Sequence, residues 1–423
     1  MNIDVVKSRI SSGELDDIFF QMTQSGSPAL ARGRWLSLID EFTRNFSHDD
    51  IFGFSAPGRT EVSGNHTDHQ WGRVMAAAVN LDTIAIVAKN HSDVINIRSK
   101  GYTIDPVNIR DLQIRNHEKQ TTEALIRGIC AHFVQCGHTI GGFDAVVDSQ
   151  VLPGSGISSS AAFEVLIGQI LSGLFNQGKI DAQTIAIIGQ QAENIYFQKP
   201  CGLMDQMTSA VGGFVYIDFY QPDQPIVEKF TFDLNAKGYT LCLINTGGSH
   251  ENLSDAYGLM PNEMKQVAKF FDQPVLSRVT YDQLIGSLPQ IRKACGDRAC
   301  LRAIHFLKET QRVSHLKEAL VVDDMSEFMR LIVESGRSSY MYLQNVYMPT
   351  DSAFQPLAIA LAVSEQLLSK GAYRVHGGGL AGTIQAFVPN DQLNDYVVEM
   401  ENIFGKDSVY TCSIRPVGSL QIF

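Results

Sequence analysis

Two hydrophobic patterns take turns along this chain: apolar residues at helical spacing, and short apolar runs or alternations of strand type. Residues 1–45 read as helical and amphipathic, with Leu30, Trp35, Leu36 and Ile39 along one stripe. A strand-like run covers 51–57. The stretch 74–89 is rich in Ala and Val, and Thr83-Ile84-Ala85-Ile86-Val87 within it reads as a buried strand, with Val94-Ile95-Asn96-Ile97 as its candidate partner. The pattern predicts a helix over 123–135 and a strand over 143–148. A helix over 160–175 presents Ala162, Val165, Leu166, Ile170, Leu174 and Phe175 on one face, and another covers 182–197. Strands are predicted over 214–219, 229–234 and 241–245. Helical patterns dominate 260–339. A helix over 354–370 and a strand over 382–388 follow, the strand just after a triple glycine. Strands and helices partly segregate, which predicts an α+β fold rather than a doubly wound sheet. Gln221 to Pro225, with two prolines, predicts a turn near a domain boundary. No internal repeat is visible.

Length and composition narrow this picture. The chain has 423 residues, enough for two domains, and is 44% hydrophobic and 19% charged, as expected of a globular protein. Forty-five acids against 34 bases give a formal charge of −11. Such a balance does not attract nucleic acid or anionic membrane, so neither partner is expected, and a phosphorylated ligand would need a local basic or dipolar site. The seven cysteines are scattered and odd in number, which favours free thiols over a disulfide framework; Cys295 and Cys300 lack the second pair of a zinc site. The first twenty residues carry acids and no apolar signal core, and no apolar stretch is long enough to span a bilayer. A cytoplasmic protein is expected.

Four clusters carry candidate chemistry. The first is Leu152-Pro153-Gly154-Ser155-Gly156-Ile157-Ser158-Ser159-Ser160-Ala161-Ala162, a glycine-rich turn and three hydroxyls at the start of a long apolar helix. Glycine lets the backbone approach a ligand, and a helix start offers free N–H groups to phosphate. It is neither a dinucleotide fingerprint nor a Gly-Lys-Ser/Thr loop. The plain alternative is a serine helix cap, for which one serine suffices. The second cluster, Ala56-Pro57-Gly58-Arg59-Thr60-Glu61-Val62-Ser63-Gly64-Asn65-His66-Thr67-Asp68-His69-Gln70-Trp71-Gly72, sets a guanidinium, an acid, amides and imidazoles between glycines. A loop of this kind can hydrogen-bond several hydroxyls of a small polar ligand. His66, Asp68 and His69 are possible metal ligands, but not at the spacing of a zinc helix; a polar surface turn is the plain alternative. The third comprises Glu193 and Pro200-Cys201-Gly202-Leu203-Met204-Asp205-Gln206, where Asp205 is either a buried functional carboxylate or a solvated helix residue. The fourth, His376-Gly377-Gly378-Gly379-Leu380-Ala381-Gly382, is a second loop that exposes its backbone, or a tight hairpin.

In order and spacing the four together resemble the galactokinase branch of the galactose–homoserine–mevalonate–phosphomevalonate (GHMP) kinases, over nearly the whole chain from about Ala56 onward. The resemblance implies a two-domain α+β fold with the active site in the interdomain cleft. It divides the chain into an N-terminal helical extension over 1–45, an N-terminal kinase domain over 46–220 and a C-terminal one over 221–423. It implies ATP-dependent phosphorylation of the anomeric hydroxyl of galactose or a close relative, with ATP and Mg²⁺ as cofactors, by a monomer or weak homo-oligomer. Asp205 would be the general base, and Arg59 would orient it and stabilise charge near the phosphoryl group. Ser159 and Glu193 would hold Mg²⁺, and Gly154, Ser155, Gly156, Ile157, Ser158, Ser159 and Ser160 would wrap the phosphates. Asn65, His66, Asp68, Gly202 and Tyr257 would contact the sugar. A carboxylate at an ordinary pKa is a weak base for a hydroxyl, so its help is orientation and late proton acceptance.

The chain departs from the family at several positions. The family has glutamate at the Asn65 position, asparagine at the Glu61 position, tyrosine–asparagine at His69-Gln70 and glycine at Ala381. An amide in place of a carboxylate removes an anion and adds N–H donors. A C6-modified sugar such as galacturonate is therefore the alternative substrate; the His69-Gln70 pair resembles plant galacturonate kinases. A further alternative is a sensor that binds ATP and galactose without turnover, but such relatives have a damaged phosphate loop, and Ser158-Ser159-Ser160-Ala161-Ala162 and Asp205 are intact here.

Overall fold

The computed structural model describes residues 1–24, 27–151, 157–247, 254–348, 351 and 353–423. Two sheets organise them. The larger has the strand order β12-β1-β2-β5-β3-β4, with β6 on β2 and β7 on β6. Its strands are β1 (Phe52–Ser63), β2 (Arg73–Lys89), β3 (Val94–Ser99), β4 (Val107–Asn108), β5 (Phe143–Ser149), β6 (Phe214–Asp218), β7 (Ile226–Phe230) and β12 (Leu420–Gln421). The smaller sheet has the order β11-β8-β10-β9. It comprises β8 (Tyr239–Asn245), β9 (Ala372–Val375), β10 (Thr383–Pro389) and β11 (Val409–Cys412).

The long strand β2 shows why its sequence reads as one apolar run. Ile84, Ile86 and Ala88 turn to a layer of N-terminal helices, where they meet Phe19, Trp35, Ile39 and Phe42. Ala85 and Val87 turn to the opposite layer with Ile126, Val165 and Ile170. Both faces are covered, so period-two alternation of polarity vanishes. Nearer its start, Met75, Ala77 and Val79 instead meet Val313, Leu316 and Phe328. One strand thus carries the N-terminal helices on half of its face and helices Asp297–Val321 and Met325–Ser338 on the other half. The helices Ile3–Ser12 and Asp16–Thr23 pack on helix Pro28–Asn45, which is pinned to the sheet by Arg34, donating to Asp82 at 2.5 Å and Asp148 at 2.6 Å.

Several elements differ from the sequence reading. β3 pairs parallel with β5, not with β2; a short apolar run carries no mark of its neighbour. The strand expected at 229–234 lies at Ile226–Phe230, and residues 221–225 form the turn of the β6–β7 hairpin. The helix expected over 182–197 is α-helical only over Ala182–Gln191 and continues as a π-helical turn, Ala192–Phe197. The helix expected over 354–370 spans Pro356–Leu367. The final segment returns to the larger sheet: Arg415 N donates to Ala78 O at 2.9 Å, and Phe54 and Ser55 pair with Gln421 and Leu420.

Candidate active site

Arg59 lies on β1, not on a loop. The polar cluster that began at Ala56 stays extended through Ser63, and only 64–72 loops. Gly58 lets β1 pass against Ile157: a Cβ there would stand 2.4 Å from the Ile157 side chain, and Arg59 N donates to Ile157 O at 3.1 Å. Polar residues persist in this buried strand because each has a partner. Thr60 Oγ1 donates to Gln385 at 2.9 Å, Arg374 Nη2 donates to Glu61 at 2.9 Å, and Ser63 Oγ donates to Glu309 at 2.8 Å.

From β1, Arg59 reaches across to the helix Met204–Val211. Its Nε donates to Asp205 Oδ1 and its Nη2 to Oδ2, each at 2.6 Å, and Ser158 Oγ donates to Oδ2 at 2.7 Å. Burial raises the Asp205 carboxyl pKa, but Arg59 and Ser158 outweigh it and hold the group below its ordinary value. A carboxylate has about four lone-pair directions; these three donors leave one on Oδ1. Ser158 stands at the N-cap of helix Ser159–Phe175 with φ 60° and makes no side-chain cap bond. The cap alternative therefore fails for this serine: its hydroxyl serves Asp205, and its backbone sits where a non-glycine residue is strained. Gly154, Ser155 and Gly156 lie outside the described residues.

Glu193 is placed by the π-helical turn, which ends in Gln198 at φ 61°. Ser160 Oγ donates to its Oε1 at 3.3 Å, Lys199 Nζ lies 3.2 Å from the same oxygen, and Gln206 Nε2 donates to Oε2 at 2.9 Å. The hydroxyl at Glu193 is thus that of Ser160, the residue after the expected Ser159. Gln206 Nε2 also donates to Glu164 at 2.9 Å. Burial, and then the Glu193 charge, hold Glu164 well above the usual carboxylate range. Among the described residues no group of three or more His, Cys, Asp or Glu is placed to hold a metal. A carboxylate with a neighbouring hydroxyl nevertheless suits Mg²⁺, which takes one or two protein oxygens and completes its shell with phosphate and water.

Three of the expected sugar contacts, Asn65, His66 and Tyr257, bond to the loop 376–382, the connection of the β9–β10 hairpin, whereas Asp68 and Gly202 pack on each other. His66 Nε2 lies 3.0 Å from Gly378 O, and Tyr257 OH donates to Gly379 O at 2.7 Å. Asp68 packs so closely on Gly202 that a Cβ there would fall 1.7 Å from its carboxylate. Burial, and then His69, lower the His66 pKa to about 4, so the ring is neutral at pH 7.

Asn65 is different. It is 1% exposed. Its amide N–H donates to Glu61 at 3.0 and 3.2 Å and to Gly377 O at 2.6 Å, and its carbonyl accepts from Asn345 at 2.6 Å. Its backbone carbonyl lies 2.9 Å from His305 Nε2. The side chain is consumed within the protein and ties the signature loop to the glycine hairpin. Glu164, Gln206, Lys199, Glu61, Arg374 and Glu309 had no assigned role in the sequence. A usable signal existed for Glu164: a carboxylate four residues after Ser160, on one face of an otherwise apolar helix.

Comparison with known proteins fits this arrangement. Residues 40–89 match the galactokinase galactose-binding signature, and residues 124–213 match the GHMP kinases N-terminal domain. The fold is shared with solved structures. Lactococcus lactis galactokinase complexed with galactose superposes with a TM-score of 0.79 at 20% identity, over 91% of this chain and 99% of that one. Methanococcus jannaschii mevalonate kinase gives 0.62 at 14% identity, over 87% and 99%. Streptococcus pneumoniae phosphomevalonate kinase in complex with phosphomevalonate and AMPPNP gives 0.57 at 12%, over 87% and 99%. The chain thus carries the match to the GHMP kinases N-terminal domain and shares the fold of these kinases. It also carries the galactokinase signature and resembles galactokinase in fold.

Proposed function

We propose that the protein is an ATP- and Mg²⁺-dependent sugar-1-kinase that phosphorylates the anomeric hydroxyl of galactose or a close relative. The observation that carries the reading is the Arg59–Asp205–Ser158 constellation, which joins the sugar-signature strand to the helix start of the phosphate run. The site lies where the larger sheet and its helices meet the β9–β10 hairpin of the smaller sheet; the unit built on the larger sheet runs past residue 220, since β7 and β12 belong to it. His66, Asp68, Gly202 and Tyr257 form the sugar side. Phosphoryl transfer depends on positioning and charge neutralisation more than on covalent chemistry. Asp205, fixed at both oxygens by Arg59, uses its remaining Oδ1 lone pair to hold the sugar hydroxyl in line and takes its proton late. The Arg59 guanidinium, buried and bidentate, offsets negative charge there without reorganising. The first-turn N–H groups of helix Ser159–Phe175 face the phosphates. Glu193 and Ser160 would hold Mg²⁺, which supplies further charge neutralisation.

A C6-oxidised sugar is the second reading. One observation favours it: position 65 puts no carboxylate at the site, its buried amide being spent on Glu61, Gly377 and Asn345, and the neighbouring Glu61 carboxylate is tied to Arg374. ADP release with galactose, galacturonate, N-acetylgalactosamine, glucose and arabinose tests both. Turnover of galactose with little on galacturonate supports the first, the reverse supports the second, and sugar-independent or absent ADP release overturns both.

A further inference from the structure

Among the described residues, Lys199 is a cation at the site that the mechanism above does not use. Lys199 Nζ sits 3.2 Å from Glu193 Oε1, the oxygen that also meets Ser160. Its charge acts on Asp205 and Glu164 as well as on Glu193. The two basic residues of the site differ in how they are held. The Arg59 side chain is 8% exposed and bidentate, whereas that of Lys199 is 57% exposed and makes a single contact to Glu193. The Lys199 backbone N–H donates to Glu193 O at 3.2 Å, which closes the π-helical turn. The backbone of Lys199 is therefore fixed relative to Glu193 while its stem is free to swing. Glu193 itself is 3% exposed, and its Oε2 is committed to Gln206.

We propose that Lys199 is a mobile third charge of the site: it neutralises Glu193 before nucleotide arrives and moves onto a phosphate oxygen when Mg²⁺ takes Glu193 Oε1. The proposal rests on the kinase reading. A divalent ion and an ammonium on one carboxylate oxygen repel each other. The ammonium is the one that can leave, because its flexible stem is largely in solvent. Its new partner must be an anion near Glu193 and Asp205, and the phosphates of a bound nucleotide are that anion. Without a cation, the buried Glu193 carboxylate is costly, so Lys199 guards the empty site against that cost.

The test compares wild type, Lys199→Met and Lys199→Arg by two binding measurements that need no sugar. Mn²⁺ binding to nucleotide-free protein is read by electron paramagnetic resonance, and Mg·AMPPNP binding by calorimetry. Lys199→Met should bind Mn²⁺ about fivefold or more tightly, since its competitor is gone, and Mg·AMPPNP about tenfold more weakly, the size of one charge-assisted hydrogen bond. Lys199→Arg should recover most of the nucleotide affinity. Unchanged affinities, with or without a drop in melting temperature, overturn the proposal and leave a structural ion pair. Tighter Mn²⁺ with undiminished nucleotide affinity overturns the movement onto phosphate. If wild type binds no Mg·AMPPNP at all, the kinase reading falls, and the Mn²⁺ comparison still decides whether Lys199 competes for Glu193.

Discussion

The two halves of the site use polar residues in opposite ways. On the proposed phosphate side, Ser158 meets Asp205 at the starts of two helices, and Ser160 and Lys199 meet Glu193 on the π-helical turn; Asp205 keeps a free lone pair and Lys199 keeps much of its exposure. On the signature side, Glu61, Asn65, Arg374 and His305 are buried and bond among themselves, and buried Glu309 accepts from Ser63 and from the Gly64 N–H. The first set is arranged to meet a ligand, and the second to hold a loop in a strained shape; His66 and Trp71 both sit at φ 58° there. A polar residue within a binding motif can therefore serve the loop rather than the ligand, and its hydrogen-bond count tells which.

Mutations that separate function from stability test this contrast. The largest effect belongs to Asp205→Asn. It should lower kcat roughly 10²–10⁴-fold and leave Mg·AMPPNP affinity within about threefold by calorimetry. On the signature side the order inverts. Arg374→Met strands the buried Glu61 and should cost about 3–5 kcal/mol in urea denaturation, most of it recovered in the double variant with Glu61→Leu. Asn65→Ala leaves Glu61, Asn345 and Gly377 short of a partner and should cost about 1–3 kcal/mol. Its nucleotide affinity should not move. A normal melting curve with a raised sugar KM would instead make Asn65 a direct sugar contact.

The smallest effect is pH-dependent. Burial raises the Glu309 pKa, but Arg312, His305, Arg374 and the Ser335 hydroxyl outweigh it and bring the group down to about 2. A depressed carboxyl stabilises the fold fully above its unfolded value, 4.5, and loses that contribution as pH falls toward 2. The stability difference between wild type and Glu309→Gln should be flat above pH 5 and shrink below about pH 4.5. A difference constant down to pH 3 would contradict the burial of an ionised Glu309.

Much of the fold was readable because hydrophobic spacing is local. The N-terminal helices, the helix after the serine run and the buried strand at 83–87 all declare themselves by period. Pairing does not, and β3 found β5 through contacts remote in sequence. β9, β11, β12 and helix Leu393–Phe404 are short or end-of-chain elements whose pattern is too brief to stand out. At the site, Arg59, Asp205 and Glu193 were legible as charged residues among small and apolar neighbours. Two properties were not. Arg59 lies on a strand because its polar neighbours find partners from helix Asp297–Val321 and the β9–β10 hairpin, which lie hundreds of positions away. Asn65 reads as a sugar contact until Glu61, Gly377 and Asn345 are seen to use its amide.

In the function proposed, Arg59 and Asp205 direct phosphate onto an anomeric hydroxyl. Incubating the enzyme with MgATP and whichever sugar drives ADP release, then recording the phosphorus–proton coupling of the product by NMR, tests it most directly. Coupling of phosphorus to the C1 proton, abolished in Asp205→Asn, is the predicted result. A phosphate coupled to a proton at any other carbon, or full activity in Asp205→Asn, would contradict it.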